Sequence, residues 1–502
     1  MIHEKKIDPP VPLNEIEKQL LSEVDKRKQA LTKLLQDLVK IDSRNYSEKV
    51  YADKNKIMRF VENYLANSDI KTELYKVEFP FEAKVEEPYY LNLVANLFEN
   101  KDDTDKNLRI KTKKIQFNGH LDTVPFNEER WAEGIAPLGG TIQGNKLYGR
   151  GACDMKSGVS CQIMAMKILK DIMKNNKITP KGDLQLWLTP DEETHGRYGS
   201  LYMVKNHLNV VNSDITIISE SSAVSPLESP GFGVGEKGPQ WLKFTFYGVA
   251  GHGSMPKAKS NALNKATRFM SMSKRKLKMP KGEAPLGKLD MIKTILKRYK
   301  LLDLFKLFKT VDTMRDPLDD DGMSLSSLFH STFSFDKISA GTKVNVIPDQ
   351  CELEVDFRVL PGINTQDLLT KIAEYCAKLN YRIQLPEEYE NPQDQNEKIS
   401  QRPIDVKLEI LTIGQGSYED PNVNHGEFIF NCFSAVYEVA PIYFFSSGFT
   451  DAGNMREAGM DNIFVFGPSG GNFHDANEYA DIESLSNATK FYLLTAYRYL
   501  TS

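Results

Sequence analysis

Between residues 13 and 40 the apolar positions Leu20, Leu21, Val24, Leu31, Leu34, Leu35 and Leu38 recur at helical spacing, and the run stops at Asp42 and Ser43. This predicts one long N-terminal helix. The stretches YLNLVANLF (90–98), KIQFNGHLD (114–122), DLQLWLTP (183–190) and DITIISE (214–220) are then short and apolar, with helical patterns such as SGVSCQIMAMKILKDIMK (157–174) between them. Such alternation predicts a largely parallel α/β sheet buried on both faces. From about residue 236 the runs WLKFTFYGVAG, STFSFDKISAG, CELEVDFRVLP and KLEILTIGQG alternate strictly between apolar and polar, which marks an antiparallel sheet with one covered face. After about residue 420 the buried style returns in APIYFFSSGF and DNIFVFGPSG, and a helix is expected over 482–500. The fold class read from this pattern is α/β: a mostly parallel sheet domain over 1–235 and 421–502, interrupted by an inserted α+β domain over 236–420.

Composition narrows the picture only slightly. The 502 residues are 40% hydrophobic, ample for more than one core at roughly 150 residues per domain. Sixty-four basic and 68 acidic residues are well mixed, for a net charge of −4. No global field therefore favours nucleic acid or a membrane surface, and neither is expected as a partner. The first residues lack the basic-then-apolar layout of an export signal, and no stretch approaches about 18 uninterrupted apolar residues. Cys153, Cys161, Cys351, Cys376 and Cys432 form an odd set without a CxxC pair, as expected of free thiols in a reducing compartment, so a cytoplasmic location is expected.

Polar residues gather at the ends of the buried runs. In FNGHLDTVP, His120 and Asp122 stand two apart and leave the same face of a strand; a carboxylate there is placed to hold the second nitrogen of a metal-binding imidazole. YGRGACDMKSG sets Asp154 in a glycine-bearing loop ahead of a helix, and LTPDEETHG sets Glu192 and Glu193 side by side after a strand. Two adjacent carboxylates repel unless one meets a cation or takes a proton. IISESSA adds Glu220, and GNFHDANEY adds His474. Ligand sites in open α/β sheets form beyond the carboxyl ends of the strands, where all of these residues fall. Two imidazoles with three or four carboxylates suit a pair of divalent ions, zinc before cobalt or manganese.

Taken in order, GHLDTVP, GRGACDMKSG, TPDEETHGRYGS, ISESSA, GVAGHGSMP, GTKVNVIPDQCELEVDFR and FHDANE resemble the zinc-dependent family of acetylornithine deacetylase and succinyl-diaminopimelate desuccinylase, with aminoacylases and glutamate-releasing carboxypeptidases as relatives. The likeness implies a catalytic domain of the di-zinc exopeptidase type with an inserted lid and dimerisation domain. It implies two divalent ions per subunit, one held by His120, Asp154 and Glu220 and the other by Asp154, Glu193 and His474, with Asp154 bridging. Glu192 would be the general base toward water, and Asp122 the support behind His120. His252 would reach the site of a partner subunit to stabilise the oxyanion, which implies a homodimer, and Arg358 with Asn345 would grip a substrate carboxylate. The implied reaction removes an acyl group from an N-acyl amino acid, because GACDMKSG and SESSA lean toward the deacetylase and desuccinylase branch. Exopeptidase action on a short peptide is the alternative, with identical metal chemistry.

Other readings of the same residues stand beside these. His252 alone reads as a turn residue, and Arg358 alternates onto a polar strand face with Glu352, Glu354 and Asp356, as for a cross-strand ion pair. GPSGG (467–471) matches the GxSxG pattern of serine hydrolases with Ser469 as nucleophile, although an elbow of that kind must run from strand straight into helix. A binding protein on the same fold is a remote alternative, since every expected ligand is present. Residues 273–330 have no counterpart in compact deacylases, and MIKTILKRYKLLDLFKLFKT within them has the pattern of a basic amphipathic helix, expected to pack in the lid or dimer interface. His195, His207, His330 and His425 read as structural or surface residues. The five cysteines read as core fillers, with Cys153, beside Asp154, close enough to the site for its oxidation to bear on it.

Overall fold

A computed structural model describes residues 11–45, 54–78, 88–98, 113–224, 229–256, 261–282, 293, 296–298, 330–422 and 425–502. The basic amphipathic stretch expected near 291–310 lies outside them, apart from four positions.

The N-terminal helix is not continuous. It runs as α1 (Glu15–Lys26) and α2 (Lys28–Val39), with a break at Arg27, whose φ is −100°. Asn14 and Glu17 form a reciprocal cap at the start of α1. Periodicity alone could not see the break, because Leu20 and Val24 before it and Leu31, Leu34, Leu35 and Leu38 after it all remain buried. At the break Arg27 pairs with Asp171 of another helix at 2.8 Å.

The main sheet contains β1 (Lys71–Glu78), β2 (Tyr89–Asn96), β3 (Lys113–His120), β4 (Gly182–Thr189), β5 (Ile215–Ile218), β6 (Phe232–Glu236), β11 (Tyr443–Ser446) and β12 (Ile463–Val465), with Ser417–Tyr418 at one edge. Its order is β1-β2-β4-β3-β5-β12-β6, with β11 also on β6. The four central strands β4, β3, β5 and β12 run parallel. The flanks are antiparallel, at β1 with β2, β2 with β4, and β6 with β12. Because the central strands share one direction, their carboxyl ends lie along one edge. Helices α3 (Lys54–Ala66), α4 (Ser157–Asn175), α7 (Gly426–Tyr437) and α8 (Ile482–Thr501) join α1 and α2 around this sheet. They bury one continuous apolar core, with Phe117, Trp187, Phe232, Phe466 and Phe491 among its largest members.

At Lys237 the chain leaves the main sheet for a second one, and at Ser417 it returns. The second sheet comprises β7 (Gly238–Tyr247), β8 (Thr332–Ala340), β9 (Gln350–Val359) and β10 (Val406–Ile413), in the order β8-β9-β7-β10 with Ile383–Gln384 beside β10. One face is covered by α5 (Ala262–Lys276) and α6 (Thr365–Lys378), which enclose a separate core around Phe244, Phe246, Phe269 and Leu353. The other face carries ion pairs such as Lys243 with Glu409 at 3.0 Å and Lys337 with Glu354 at 2.8 Å; the expected alternation is realised throughout β9, whereas β8 has no buried residue along its length. Among the described residues no helix is long and apolar enough to cross a membrane. Ser469 is followed by the short strand Gly470–Gly471 rather than by a helix, which removes the serine-hydrolase elbow.

Close approach of α4 to the strand ends depends on missing side chains. A Cβ on Gly158, in the first turn of α4, would collide with the backbone oxygen of Ser219, just past β5. Replacing an exposed helical glycine by alanine ordinarily stabilises by up to about 1 kcal/mol. Here overpacking should dominate, and Gly158→Ala is expected to cost roughly 1–3 kcal/mol in denaturant unfolding. An unchanged midpoint would show that α4 does not sit this close to β5 in solution.

Candidate metal centre

Each of the four parallel central strands leads a polar side chain to the shared edge. His120 is the last residue of β3 and is fully buried. Glu192 and Glu193 form a tight turn just beyond β4, and Glu220 follows β5. His474 follows β12 through the hairpin made by Gly470–Gly471 and Tyr479–Asp481. Asp154 comes from the loop before α4, at a cis peptide bond to Met155.

These side chains converge. His120 Nε2 lies 3.0 Å from Asp154 Oδ1, 3.2 Å from Glu220 Oε1 and 3.8 Å from Glu192 Oε2. His474 Nε2 lies 3.2 Å from Asp154 Oδ2 and 3.1 Å from Glu193 Oε2. The two oxygens of Asp154 therefore face two different imidazoles. Two sets of donor atoms, from His120 with Asp154 and Glu193 and from His120 with Glu192 and Glu220, each lie within 4.8 Å of one another. Imidazole nitrogen and carboxylate oxygen in that mixture are the donors a divalent transition ion takes.

Electrostatics agree with the donor chemistry. Burial and the charge of Asp154 raise Glu193 to about 7 and Glu220 to about 8. Burial, reinforced by Glu220 and Glu193, raises Glu192 well above the usual carboxylate range. Burial opposes a charged His120, yet Glu220, Asp122 and Asp154 push it well above its ordinary value. Hydrogen bonds to Asp154 and Glu193 push His474 to about 10. Four carboxylates against two imidazoles is an excess of buried negative charge that a cation offsets.

Asp122 does more than stand behind His120. His120 Nδ1 lies 2.9 Å from the Asp122 carbonyl oxygen and 3.4 Å from its Oδ1. The same carboxylate accepts the backbone N–H of Glu192 at 3.1 Å and of Glu193 at 3.2 Å, and a further bond from the side chain of Asn45. One buried group thus orients an imidazole and fixes the turn that carries both glutamates. Asn45 was invisible to strand-end reasoning, since it lies in an irregular segment held by backbone pairing to Thr123.

Glu478 was also missed. Its carboxylate accepts from Arg150 Nη1 at 2.6 Å, Gly151 N at 3.1 Å, Cys153 N at 2.9 Å and Asp154 N at 3.0 Å. A buried acid four residues after His474, within the same short motif, was the available signal. Gly470 lets that hairpin lie directly on the Asp154 loop, because a Cβ there would strike Cys153 Sγ. Cys153 itself is wholly buried, and burial together with Glu478 raises its thiol well above normal. This overturns the expectation of an oxidation-prone thiol, which requires exposure and thiolate character.

The second sheet contributes differently. His252 and Asn345 share one small ribbon, in which His252 pairs with Val346 and Gly253 N donates to the Asn345 carbonyl at 2.9 Å. His252 is exposed, and its Nδ1 lies 2.7 Å from Ser254 Oγ. Arg358 pairs with Asp356 on its own strand at 2.9 Å. Among the described residues, none of these three makes a hydrogen bond or ion pair to the carboxylate cluster of its own chain. His195 is half-buried with its ring 4.3 Å from that of Trp241, and burial plus the charge of Arg358 lower it to about 4. His207 and His425 pack against Tyr75 and Tyr499, as structural residues do.

With this geometry in hand, likeness to known proteins is informative. The family model described as Peptidase family M20/M25/M40 matches residues 116–498. Over 476 residues the chain is 26% identical to an uncharacterised metallohydrolase of Methanocaldococcus jannaschii, spanning 90% of this chain and 95% of that protein. It is 26% identical over 329 residues to a Staphylococcus aureus protein named probable succinyl-diaminopimelate desuccinylase, covering 65% of this chain and 67% of that one. The di-peptidase Dug1p from Saccharomyces cerevisiae has a solved structure that matches with a TM-score of 0.71 at 14% identity, covering 97% of this chain and 99% of that chain. At such identity the match shows the fold alone.

Replacing the Asp122 carboxylate by an amide removes an acceptor that three donors share. Asp122→Asn is expected to weaken zinc binding about 10- to 100-fold, read by competition with a chromogenic chelator. Unaltered affinity in a folded variant would show that the turn holds its shape without this carboxylate.

Proposed function

The chain belongs to peptidase family M20/M25/M40, and from that premise we propose that this metal-dependent hydrolase removes the acyl group from an N-acyl amino acid at a two-ion site. The observation that carries the reading is the shared Asp154 carboxylate, whose two oxygens face His120 and His474 at 3.0 and 3.2 Å. In this reading His120, Asp154 and Glu220 hold one ion, Asp154, Glu193 and His474 hold the other, and zinc is the native metal. Bound divalent ions supply Lewis acidity and make water acidic enough to attack near neutral pH.

The chain's own groups do the rest. Glu192 is assigned as general base rather than ligand, because its carboxylate stands farther from His120, at 3.8 Å, than those of Asp154 and Glu220. It takes a proton from water as the oxygen adds to the acyl carbon. It then delivers that proton to the amide nitrogen as the C–N bond breaks, leaving a carboxylate and a free amine. Asp122 keeps the Glu192 turn and the His120 ring in register. Arg358 and Asn345 receive the substrate carboxylate, Arg358 being buttressed by Asp356 for a bidentate grip. His252, exposed and remote from its own cluster in hydrogen bonding, is assigned to the oxyanion in the site of a second copy, so the active form is a homodimer.

The resemblance of GACDMKSG and SESSA to the desuccinylase branch, together with the Staphylococcus aureus relative, favours acyl amino acids over peptides. Exopeptidase action is the alternative that a substrate panel separates. N-acetyl and N-succinyl amino acids should be hydrolysed faster than dipeptides with zinc or cobalt present, and faster dipeptide cleavage would transfer the assignment to an exopeptidase. Chelation should abolish turnover and added zinc restore it.

Glu192→Ala is expected to lower kcat by at least about 100-fold while metal analysis still finds two ions per chain. Loss of an ion instead would exchange the base and ligand assignments. Arg358→Ala should raise KM for substrates with a free carboxylate and leave amidated analogues little changed; equal effects on both would rule out the clamp.

A further inference from the structure

Glu478 is 1% exposed and lies outside the proposed ligand set. All four bonds to its carboxylate come from one stretch, residues 150–154, and its carbonyl oxygen also accepts Gly149 N at 2.9 Å. The side chain of Glu478 thus bonds four of the five residues from 150 to 154. That stretch ends in Asp154, the carboxylate shared by both imidazoles, and Glu478 itself closes the turn that carries His474. The two halves of this contact thus belong to two different proposed ligands.

His474 needs such help more than His120 does. His120 ends a central strand, is fully buried, and is held through Nδ1 by Asp122. His474 sits in a turn with a left-handed φ of 57°, between Asn472 and Asn477 at 59° and 58°. Asparagine and histidine both enter that region more often than most residues with a side chain, so the conformation by itself does not fix the turn. Its side chain is 54% exposed, and the other ties of the turn, Arg130 with Asp475 at 2.7 Å and Ala132 N with Asn477 Oδ1 at 2.8 Å, are at the surface. Beside the pairing of Tyr479–Asp481 with Lys146–Tyr148 and the packing of Gly470 on Cys153, a buried side-chain connection from this turn to the opposing ligand runs through Glu478. The ion pair of Glu478 with Arg150, both nearly inaccessible, fixes the direction of the carboxylate.

We propose that Glu478 is a positioning residue that locks the His474 turn to the Asp154 loop and thereby sets the affinity of the ion shared by Asp154, Glu193 and His474, with little effect on the ion at His120 and Glu220. The proposal rests on the two-ion reading above. Its consequence is an asymmetry between the two ions, which a general loss of stability does not produce.

The test is stepwise titration of the metal-free full-length chain with zinc, followed by calorimetry, and with cobalt, followed by visible absorption. Circular dichroism and thermal melting establish that each variant is folded. Wild-type protein should take up two ions. Glu478→Gln puts an amide N–H against a donor and leaves Arg150 without its partner, so Glu478→Asp is measured alongside, since it keeps the charge but falls one methylene short of the four donors. Both are expected to bind the first ion within about threefold of wild type and the second about 10- to 100-fold more weakly, with the cobalt spectrum of the second step changed. Two wild-type affinities in a folded Glu478→Asp variant would overturn the proposal, as would equal weakening of both steps. Failure of both variants to fold would assign Glu478 to loop stability and also overturn it. Wild-type protein that binds no zinc would remove the two-ion reading itself, a separate outcome.

Discussion

The site depends on one carboxylate facing two imidazoles. Asp154 presents one oxygen to His120 and the other to His474, and its pKa falls below the ordinary range because the bonds to both rings outweigh the burial that opposes its charge. Everything around it serves that geometry. The parallel central strands bring His120 and the Glu192–Glu193 turn to one edge. Gly158 lets α4 close on the end of β5 at Ser219, and Gly470 lets the C-terminal hairpin close on the loop that carries Asp154. An added methyl at either place would open the cluster before any donor was changed.

A cluster this acidic is costly to bury, since carboxylates in low dielectric repel each other and lose hydration. The protein limits that cost by giving the surrounding acids different surroundings. Asp122 and Glu478 are satisfied by backbone amides and by Asn45 or Arg150. Glu192, Glu193 and Glu220 have raised proton affinities. The first two acids behave as scaffold, while the other three face the imidazoles of His120 and His474, and a cation fits the donor chemistry they form together. Lys156 adds a further tie behind the site. It is fully buried, donates to the carbonyls of Leu38 and Ile41 at 3.0 Å, and is lowered to about 7 by burial. The end of α2 is thereby joined to the loop of Asp154.

The second sheet stands apart energetically, with its own core around Phe244, Phe246 and Phe269. It holds Arg358 on β9, near the separate ribbon of His252 and Asn345, and among the described residues none of the three hydrogen-bonds or ion-pairs to the cluster of the same chain. Under the proposed function the oxyanion donor comes from a second copy, and a site divided in that way would couple chemistry to assembly.

Much of this was legible in the residues alone. Period-two and buried-run patterns placed β2, β3, β4 and β5 within a residue or two, because burial on one face or both is written directly into side-chain polarity. Polar residues at the ends of such runs stand out for the same reason, so His120, Glu192, Glu193, Glu220 and His474 could be named before any contact was known. Local pattern fails where a distant contact decides. The break at Arg27 leaves the apolar spacing on both sides intact, and its arginine pairs with Asp171 on another helix. The second duty of Asp122 and most of the grip of Glu478 on residues 150–154 are hydrogen bonds from backbone amides, and an amide has no sequence signature because every residue but proline has one. The sequence by itself determined which side chains could carry the chemistry and which strands would deliver them. Only the tertiary structure decided which buried acids face a ligand site and which hold the backbone, because that choice depends on what lies within about 3 Å in space rather than on what lies next in the chain.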